Sequence, residues 1–369
     1  MTAKVYFADT RANVKQNMID KLQRLYERSG IKDIVAPKDL VAIKVHFGER
    51  GNTAYIRPQF IRRLVDKVKE QKGKPFLTDA NTLYVGSRSN AVDHLQTAIE
   101  NGWGYSVVNA PLVIADGLTG KEYTNVEVNL KHFQEVKIGS GALHADAFIA
   151  ISHLKGHELT GYGGVLKNIG MGLGSRSGKQ MMHSDVRPRI NLEKCTGCSK
   201  CHAWCPGEAI ALRDEDRKSF ILEEHCIGCG ECTVSCPFGA IAVNWKTKPD
   251  IIQEKIAEYT MGVLKHYPGK CGFITFVNNI TPECDCCGWN DAPVVRDIGI
   301  LASLDPVALD QACVDLINQE HGLPGSRLEG QPHGSDKFRA LWPHADWTRG
   351  LEYAESIGLG TRKYELIKI

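Results

Sequence analysis

Runs of apolar positions alternate along this chain between strand-like and helix-like spacing. Residues 4–8 read as a strand, and 14–29 as an amphipathic helix with Met18, Leu22 and Leu25 on one face. Residues 40–47 form a near-continuous apolar strand, followed by a turn over 48–52. Residues 57–71 predict a second helix, in which Phe60, Ile61, Leu64, Val65 and Val68 recur at helical intervals. Strands follow at 75–78 and 105–108, with a helix at 90–101 between them and strand-like alternation at 125–130. Residues 136–139, a short helix around 142–145 and a strand at 147–152 close this half. Helical spacing resumes at 251–264, with strands at 271–277 and 298–302. A helix then starts at Asp305-Pro306, a capping residue followed by proline, and runs to Ile317. Two further helix patterns and a strand at 364–369 complete the chain. Strands alternating with helices predict a layered α/β fold with a largely parallel sheet and flanking helices.

One stretch breaks the pattern. Cys195, Cys198, Cys201 and Cys205-Pro206 are followed by Cys226, Cys229, Cys232 and Cys236-Pro237. Each set has the C-x2-C-x2-C-x3-C-P spacing of bacterial two-cluster ferredoxins. A shift of 31 positions superposes all four cysteines, both prolines and the Ala-Ile-Ala tails at 209–211 and 240–242. The first three thiolates of a set can share one cubane, while the fourth, followed by proline, turns toward the other. The expected ligand sets for two 4Fe–4S clusters are therefore Cys195, Cys198, Cys201 and Cys236, and Cys226, Cys229, Cys232 and Cys205. Zinc also uses C-x2-C pairs, but the doubled arrangement closed by Cys-Pro favours iron. The expected organisation is an α/β domain over 1–184 and 247–369, with a small α+β ferredoxin-like insert at 185–246.

The composition of the 369 residues, 43% hydrophobic and 24% charged, is that of an ordinary globular chain. A net charge of +2 gives no reason to expect nucleic acid or an anionic membrane as partner. No apolar run approaches a membrane span, and the first residues lack a signal-peptide pattern. Thirteen cysteines without an export signal point to a reducing cytoplasm and to thiolates used for metal. The oxygen sensitivity of exposed clusters suits an anaerobic host.

Several further motifs resemble those of uncharacterised iron–sulfur centre proteins, a domain of unknown function with an inserted two-cluster ferredoxin module. They are Lys44-Val-His46-Phe-Gly48, Ser152-His153-Leu-Lys155-Gly156-His157, Gly163-Gly164-Val-Leu-Lys167-Asn168, Cys284-Asp-Cys286 and Ser303-Leu-Asp305-Pro306. The resemblance spans essentially the full length. It implies an α/β fold and iron–sulfur redox function, without a settled substrate.

Three constellations outside the repeat are candidates for chemistry. Residues 152–183 read as a glycine-dense loop whose glycines would let the backbone approach a ligand, with Gly163, Gly164, Lys167 and Asn168 as candidate binding residues. Lys155, Lys167, Arg176 and Lys179 would hold an anion there. The segment from Gly174 to Lys179 is one residue too short for a P-loop and lacks the following Ser or Thr. His46, His153, His157 and His183 could converge at the carboxyl edge of one sheet, as proton donors or metal ligands. On an extended backbone Cys284 and Cys286 share one face, with Asp285 and Cys287 on the other, so the pair is a half-site for a metal or a redox couple. Cys271 and Cys313 lie on apolar faces and read as packing. No G-x-G-x-x-G follows a strand, so nothing indicates a nicotinamide or flavin fold. These features predict electron transfer from a redox protein partner through the insert to the α/β domain, with reduction of a small anionic substrate near His153, Lys155, His157 and Cys286, and His46 as a further catalytic candidate. The alternative is a non-catalytic carrier or assembly protein that docks a redox partner.

Overall fold

The computed structural model describes residues 2–84, 86–183, 188–205, 207–226, 230–242 and 248–369. Eight strands form one sheet: β1 (Ala3–Asp9), β2 (Leu40–Lys44), β3 (Lys74–Asp79), β4 (Leu112–Ile114), β5 (Ala147–His153), β6 (Cys271–Val277), β7 (Gly299–Ser303) and β8 (Tyr364–Lys368). Their spatial order is β8-β1-β7-β6-β5-β2-β3-β4. All neighbouring pairs are parallel except those that β7 makes with β1 and β6. The largely parallel α/β sheet read from the sequence is therefore present.

Period-two alternation explains how the sheet is covered on both sides. In β5, Phe148 and Ala150 belong to one apolar core, while Ala147, Ile149 and Ile151 belong to the core on the opposite face. β6 divides likewise, with Phe273 and Val277 on one side and Ile274 and Phe276 on the other. Each of the larger of these fully buried side chains, the valine, isoleucines and phenylalanines, contributes about 1.5–3 kcal/mol.

On one face lie α1 (Met18–Arg28) and α2 (Pro58–Glu70). A capping box starts α1: Asn17 Oδ1 accepts from Ile19 N (2.8 Å) and Asp20 N (3.1 Å), and Asp20 accepts from Asn17 N (3.0 Å). α3 (Ala91–Glu100) follows the third strand. The other face carries α4 (Val165–Leu173), α6 (Pro249–Leu264) and α7 (Pro306–Asn318), with α5 (Arg176–His183) following α4.

Two expectations are corrected. Residues 105–108 form a helical turn, not a strand, closed by Asn109 at φ +58° with its N–H on Tyr105 O (2.7 Å). Residues 152–183 are not one loop. They fold into the antiparallel hairpin Lys155–His157/Gly161–Gly163 and then α4 and α5. The glycines of α4 serve packing: a Cβ at Gly170 would stand 2.2 Å from the Ile256 carbonyl oxygen of α6, and one at Gly172 would strike the Lys44 ammonium.

Between α5 and α6, the described residues of 189–242 form a small layer with its own core of Cys201, Ile210, Cys232 and Ile241. The 31-residue repeat is visible in its backbone. Ser199 and Gly230 both take positive φ (+59° and +73°) before short helices, and Glu208 (+49°) and Gly239 (+59°) both take it before short strands. The halves are crossed: Ile190 of the first pairs with Ile241 of the second, and Ile210 of the first with Ile221 of the second. This layer rests on α5 and the Tyr123–Glu127/Glu135–Gly139 ribbon. Tyr123 Oη (2.9 Å) and Lys137 Nζ (2.8 Å) both donate to Glu231, and a Cβ at Gly230 would collide with Gln180.

Candidate functional site

The chain runs β2-β3-β4 in one direction across the sheet and β5-β6 in the other, so the order reverses between β2 and β5. Ligands of open α/β sheets bind at the carboxyl ends of strands beside such a reversal. A cavity of about 350 Å³ opens there. It is lined by His46, Lys155, His157, Gly163, Gly164, Lys167, Asn168, Cys284 and Cys286, all expected from the sequence. Lys44, Asp79, Tyr84, Arg88, Lys179, His183 and Cys287 join them, with Leu159, Met171, Ile252 and Ile256 as an apolar wall. Five basic side chains (Lys44, Arg88, Lys155, Lys167, Lys179) and two acidic ones (Asp79, Glu158) line the cavity. Arg176 lies outside the lining; its guanidinium donates to the carbonyls of Thr82 (3.0 Å) and Leu83 (3.5 Å).

The thiols are placed from behind. Asp285 is fully buried, with His153 Nδ1 at 2.9 Å and Lys155 Nζ at 3.1 Å. Burial alone would raise its carboxyl, but His153 and Lys155 outweigh this and hold it well below the usual carboxylate range. His153 therefore sits beneath the cavity rather than in its wall; its Nε2 faces Asn278 O at 2.8 Å. With Asp285 turned down, Cys284 and Cys286 turn up, as the alternation predicts. Cys287 departs from that expectation: its N–H bonds Cys284 O (2.9 Å), and the resulting turn brings it into the lining as well.

Other elements hold the same loop. Tyr84 Oη donates to Cys286 O (2.9 Å), Asn52 Nδ2 to Cys287 O (3.2 Å), and Glu49 N to Asp285 O (3.1 Å). Arg88 links Tyr84 Oη (2.7 Å) to Glu49 (3.1 Å). Gly156 has no side chain because the Pro282 carbonyl oxygen lies 2.1 Å from where a Cβ would stand. These partners were not legible from the sequence.

Lys44 Nζ pairs with Asp79 (3.0 Å) and donates to Asn168 Oδ1 (2.8 Å), while Asn168 Nδ2 donates to Ile151 O and Ser152 Oγ (3.0 Å each). Burial pulls the Lys44 ammonium down, against the attraction of Asp79. Burial and the Arg88 charge hold His46 well below the ordinary histidine value, and burial with Lys167 does the same for His157. Burial and the charges of Lys167 and Lys179 bring His183 to about 3. These three rings are neutral at ordinary pH. Lys167 Nζ donates to Cys284 Sγ at 3.3 Å; the neighbouring sulfurs outweigh burial and raise its value.

His157, Cys284 and Cys286 offer ligand atoms all within 4.8 Å of one another, which makes this group a possible metal site. The His157 ring constrains it. Nδ1 accepts from the backbone N–H groups of Leu159 and Thr160 (3.2 Å each), so the proton of the neutral ring sits on Nε2.

In the inserted layer, Cys195, Cys198, Cys201 and Cys236 line one small cavity with Ile190, Thr196, Ser219, Phe238, Ala240 and Ile241. The crossed ribbons bring Cys236 to the three cysteines of the first half. Backbone amides point at sulfur: Ala209 N at Cys205 (3.2 Å), Ala240 N at Cys236 (3.3 Å) and Ser219 N at Cys195 (3.4 Å). Of the second expected set, Cys205 and Cys226 are half-buried and Cys232 is buried, while Cys229 lies outside the described residues. Cys271 sits half-buried in β6 and Cys313 is buried in α7, away from both cavities.

The fold and site define an open, mostly parallel α/β protein with a thiol-lined, basic cavity at the switch point of its sheet. The chain belongs to the family described as a domain of unknown function, DUF362, which matches residues 41–315. No curated protein sequence matches it significantly. Among solved structures it is similar to the lactate racemase apoprotein from Thermoanaerobacterium thermosaccharolyticum, with 14% identity and a TM-score of 0.38 over 75% of this chain and 51% of that one. It is also similar to a Thermotoga maritima protein of known crystal structure, with 11% identity and a TM-score of 0.39 over 92% and 58%. The chain thus spans little more than half the length of these two. Among the described residues, no helix is long and apolar enough to cross a membrane.

Proposed function

We propose that the protein is an iron–sulfur electron-transfer protein. In this reading a ferredoxin-like module, residues 185–246, takes electrons from a redox protein partner and passes them to the cavity in the α/β domain. A small anionic substrate is reduced there. The observation that carries it is the gathering of Cys195, Cys198, Cys201 and Cys236 around one cavity by the crossed pairing of the two repeat halves. The donors fit the group: four thiols, an apolar surround, and backbone N–H groups directed at sulfur, which tune such centres. Cys205, Cys226, Cys229 and Cys232 would hold the second. Each 4Fe–4S cluster, when bound, supplies a one-electron couple.

The remaining roles belong to side chains of the cavity. Lys155, Lys167 and Lys179 hold the anion, and the Nε2–H of neutral His157 donates a hydrogen bond to it. Asn168 fixes Lys44 against the sheet edge. A third metal or redox site lies at Cys284 and Cys286. The exposed Phe238, which also lines the cysteine cavity, suits partner docking and favours the carrier role as the second reading. Anaerobically purified protein tests the proposal: broad visible absorbance, about eight irons per chain by the two-cluster spacing, and paramagnetic signals on reduction are expected. Stoichiometric zinc without iron overturns it.

A further inference from the structure

We propose that Cys284 and Cys286 form a reversible dithiol/disulfide couple in the cavity wall, with Lys167 as the residue that holds its reduced form. The couple rests on the electron-transfer reading for the source of its electrons.

Four observations lead here. First, the two sulfurs lie within 4.8 Å of each other on one side of the loop, so side-chain rotation can bring them to bonding distance. Second, the intervening Asp285 is locked to His153 and Lys155 on the opposite side, and Tyr84 Oη fixes the Cys286 carbonyl. The backbone that carries both cysteines cannot turn over without breaking these buried contacts, so the two side chains leave the loop on the same side in both redox states. Third, two features oppose the metal alternative. Coordination by His157 Nε2 requires removal of the proton that the Leu159 and Thr160 amides keep there. The Lys167 ammonium, 3.3 Å from Cys284 Sγ, also stands where a metal cation would be repelled. Fourth, the sulfurs face the basic cavity itself and not a closed core.

The step balances as follows. The Sγ–Sγ bond takes up two electrons, delivered from the redox protein partner of the electron-transfer reading, and breaks. One proton passes from Lys167 Nζ to Cys284 Sγ, and Lys167 is reprotonated from solvent. A second proton reaches Cys286 Sγ from solvent, giving two thiols; oxidation runs the same step in reverse.

The test needs no cluster. Anaerobic full-length protein is equilibrated in buffers of reduced and oxidised dithiothreitol, trapped with an alkylating agent and digested, and the peptide holding residues 271–296 is weighed. The expected result is a reversible transition in which this peptide loses two labels and two hydrogens. It persists in Cys287→Ser and is absent in Cys286→Ser. Lys167→Met shifts the equilibrium toward the disulfide about tenfold, because reduced Cys284 loses the hydrogen bond that Lys167 Nζ donates to its sulfur, and Lys167→Arg restores it. A peptide fully alkylated in every buffer overturns the proposal. So does bound zinc that must be chelated before labelling, or a disulfide that survives Cys286→Ser. Visible absorbance of the same samples reports the clusters separately. A titrating disulfide in protein without absorbance upholds the couple and sinks the electron-transfer reading alone.

Discussion

Gly164 stands where any side chain would strike Asp310: a Cβ there would lie 2.3 Å from the Asp310 carboxylate oxygen. That carboxylate reaches over from α7 to cap α4, accepting from Val165 N (2.7 Å) and Leu166 N (3.1 Å). The glycine expected to admit a ligand is thus required first by a helix cap. Gly164→Ala displaces Asp310 and leaves two buried N–H groups without an acceptor. A loss of about 2–4 kcal/mol is expected from urea unfolding, with Gly163→Ala, whose Cβ would meet only lysine methylenes at 3.4 Å or more, costing clearly less.

Lys155 and Lys167 both line the cavity, yet their removal should read differently. Lys167→Met is expected to weaken binding of inorganic phosphate by at least about tenfold in calorimetry, with little change in stability. Lys155→Met weakens it similarly but also strips a buried partner from Asp285, costing about 2–4 kcal/mol in unfolding experiments. Equal phosphate affinity in both variants and the parent would remove the anion site.

The crossed ligand sets proposed for the two clusters predict an asymmetric loss. Cys236→Ser should remove roughly half the iron and leave the signal of the other cluster, although Cys236 belongs by sequence to the second half. Cys205→Ser removes the complementary half, and Cys271→Ala changes neither. Iron analysis with electron paramagnetic resonance distinguishes these outcomes from uncrossed sets, in which the identities of the lost signals exchange.

Glu254 joins the second half of the chain to residues 131–132, with Lys131 and His132 at 2.6 Å and Arg349 at 2.6 Å. Burial alone would raise its carboxyl, but these three partners outweigh it and hold it at about 2. The folded value lies below the unfolded one, so its stabilisation is present above about pH 4.5 and is lost as pH falls through about 2. Glu254→Gln should therefore destabilise the protein near pH 6, by about 1–2 kcal/mol because Lys131 and Arg349 are half exposed and screened. The difference should vanish near pH 2. Thermal unfolding across this range checks both limbs.

Much of this architecture was legible in local pattern. Residues 58–70 and 271–277 carry periods that only one element satisfies, and the cysteine spacing is a geometric statement in itself. Where the reading failed, distant contacts had decided. Val107 and Val108 look like strand, but Gly104 and Asn109 close them into a turn. Gly170 and Gly172 look like helix breakers, yet they sit inside α4 because Ile256 and Lys44 press against it. Of the cavity, the lysines, histidines and Cys284–Cys286 were visible as chemistry-bearing residues clustered in short segments. Tyr84, Arg88 and Glu49 were not, because each is an ordinary polar residue until the sheet edge brings it to the loop it holds.

The interlocked ribbons of residues 189–242 also bear on how the protein is made. Neither half can assemble a complete thiolate set while its counterpart is still inside the ribosome, since Ile190 waits for Ile241 and the earliest cysteines wait for Cys236. The surrounding sheet is delayed as well, because the strand Cys271–Val277 that fills its centre is translated only afterwards. In the proposed reading, metal delivered before Cys236 has emerged would meet an incomplete set of thiols, so cluster insertion would follow completion of this segment.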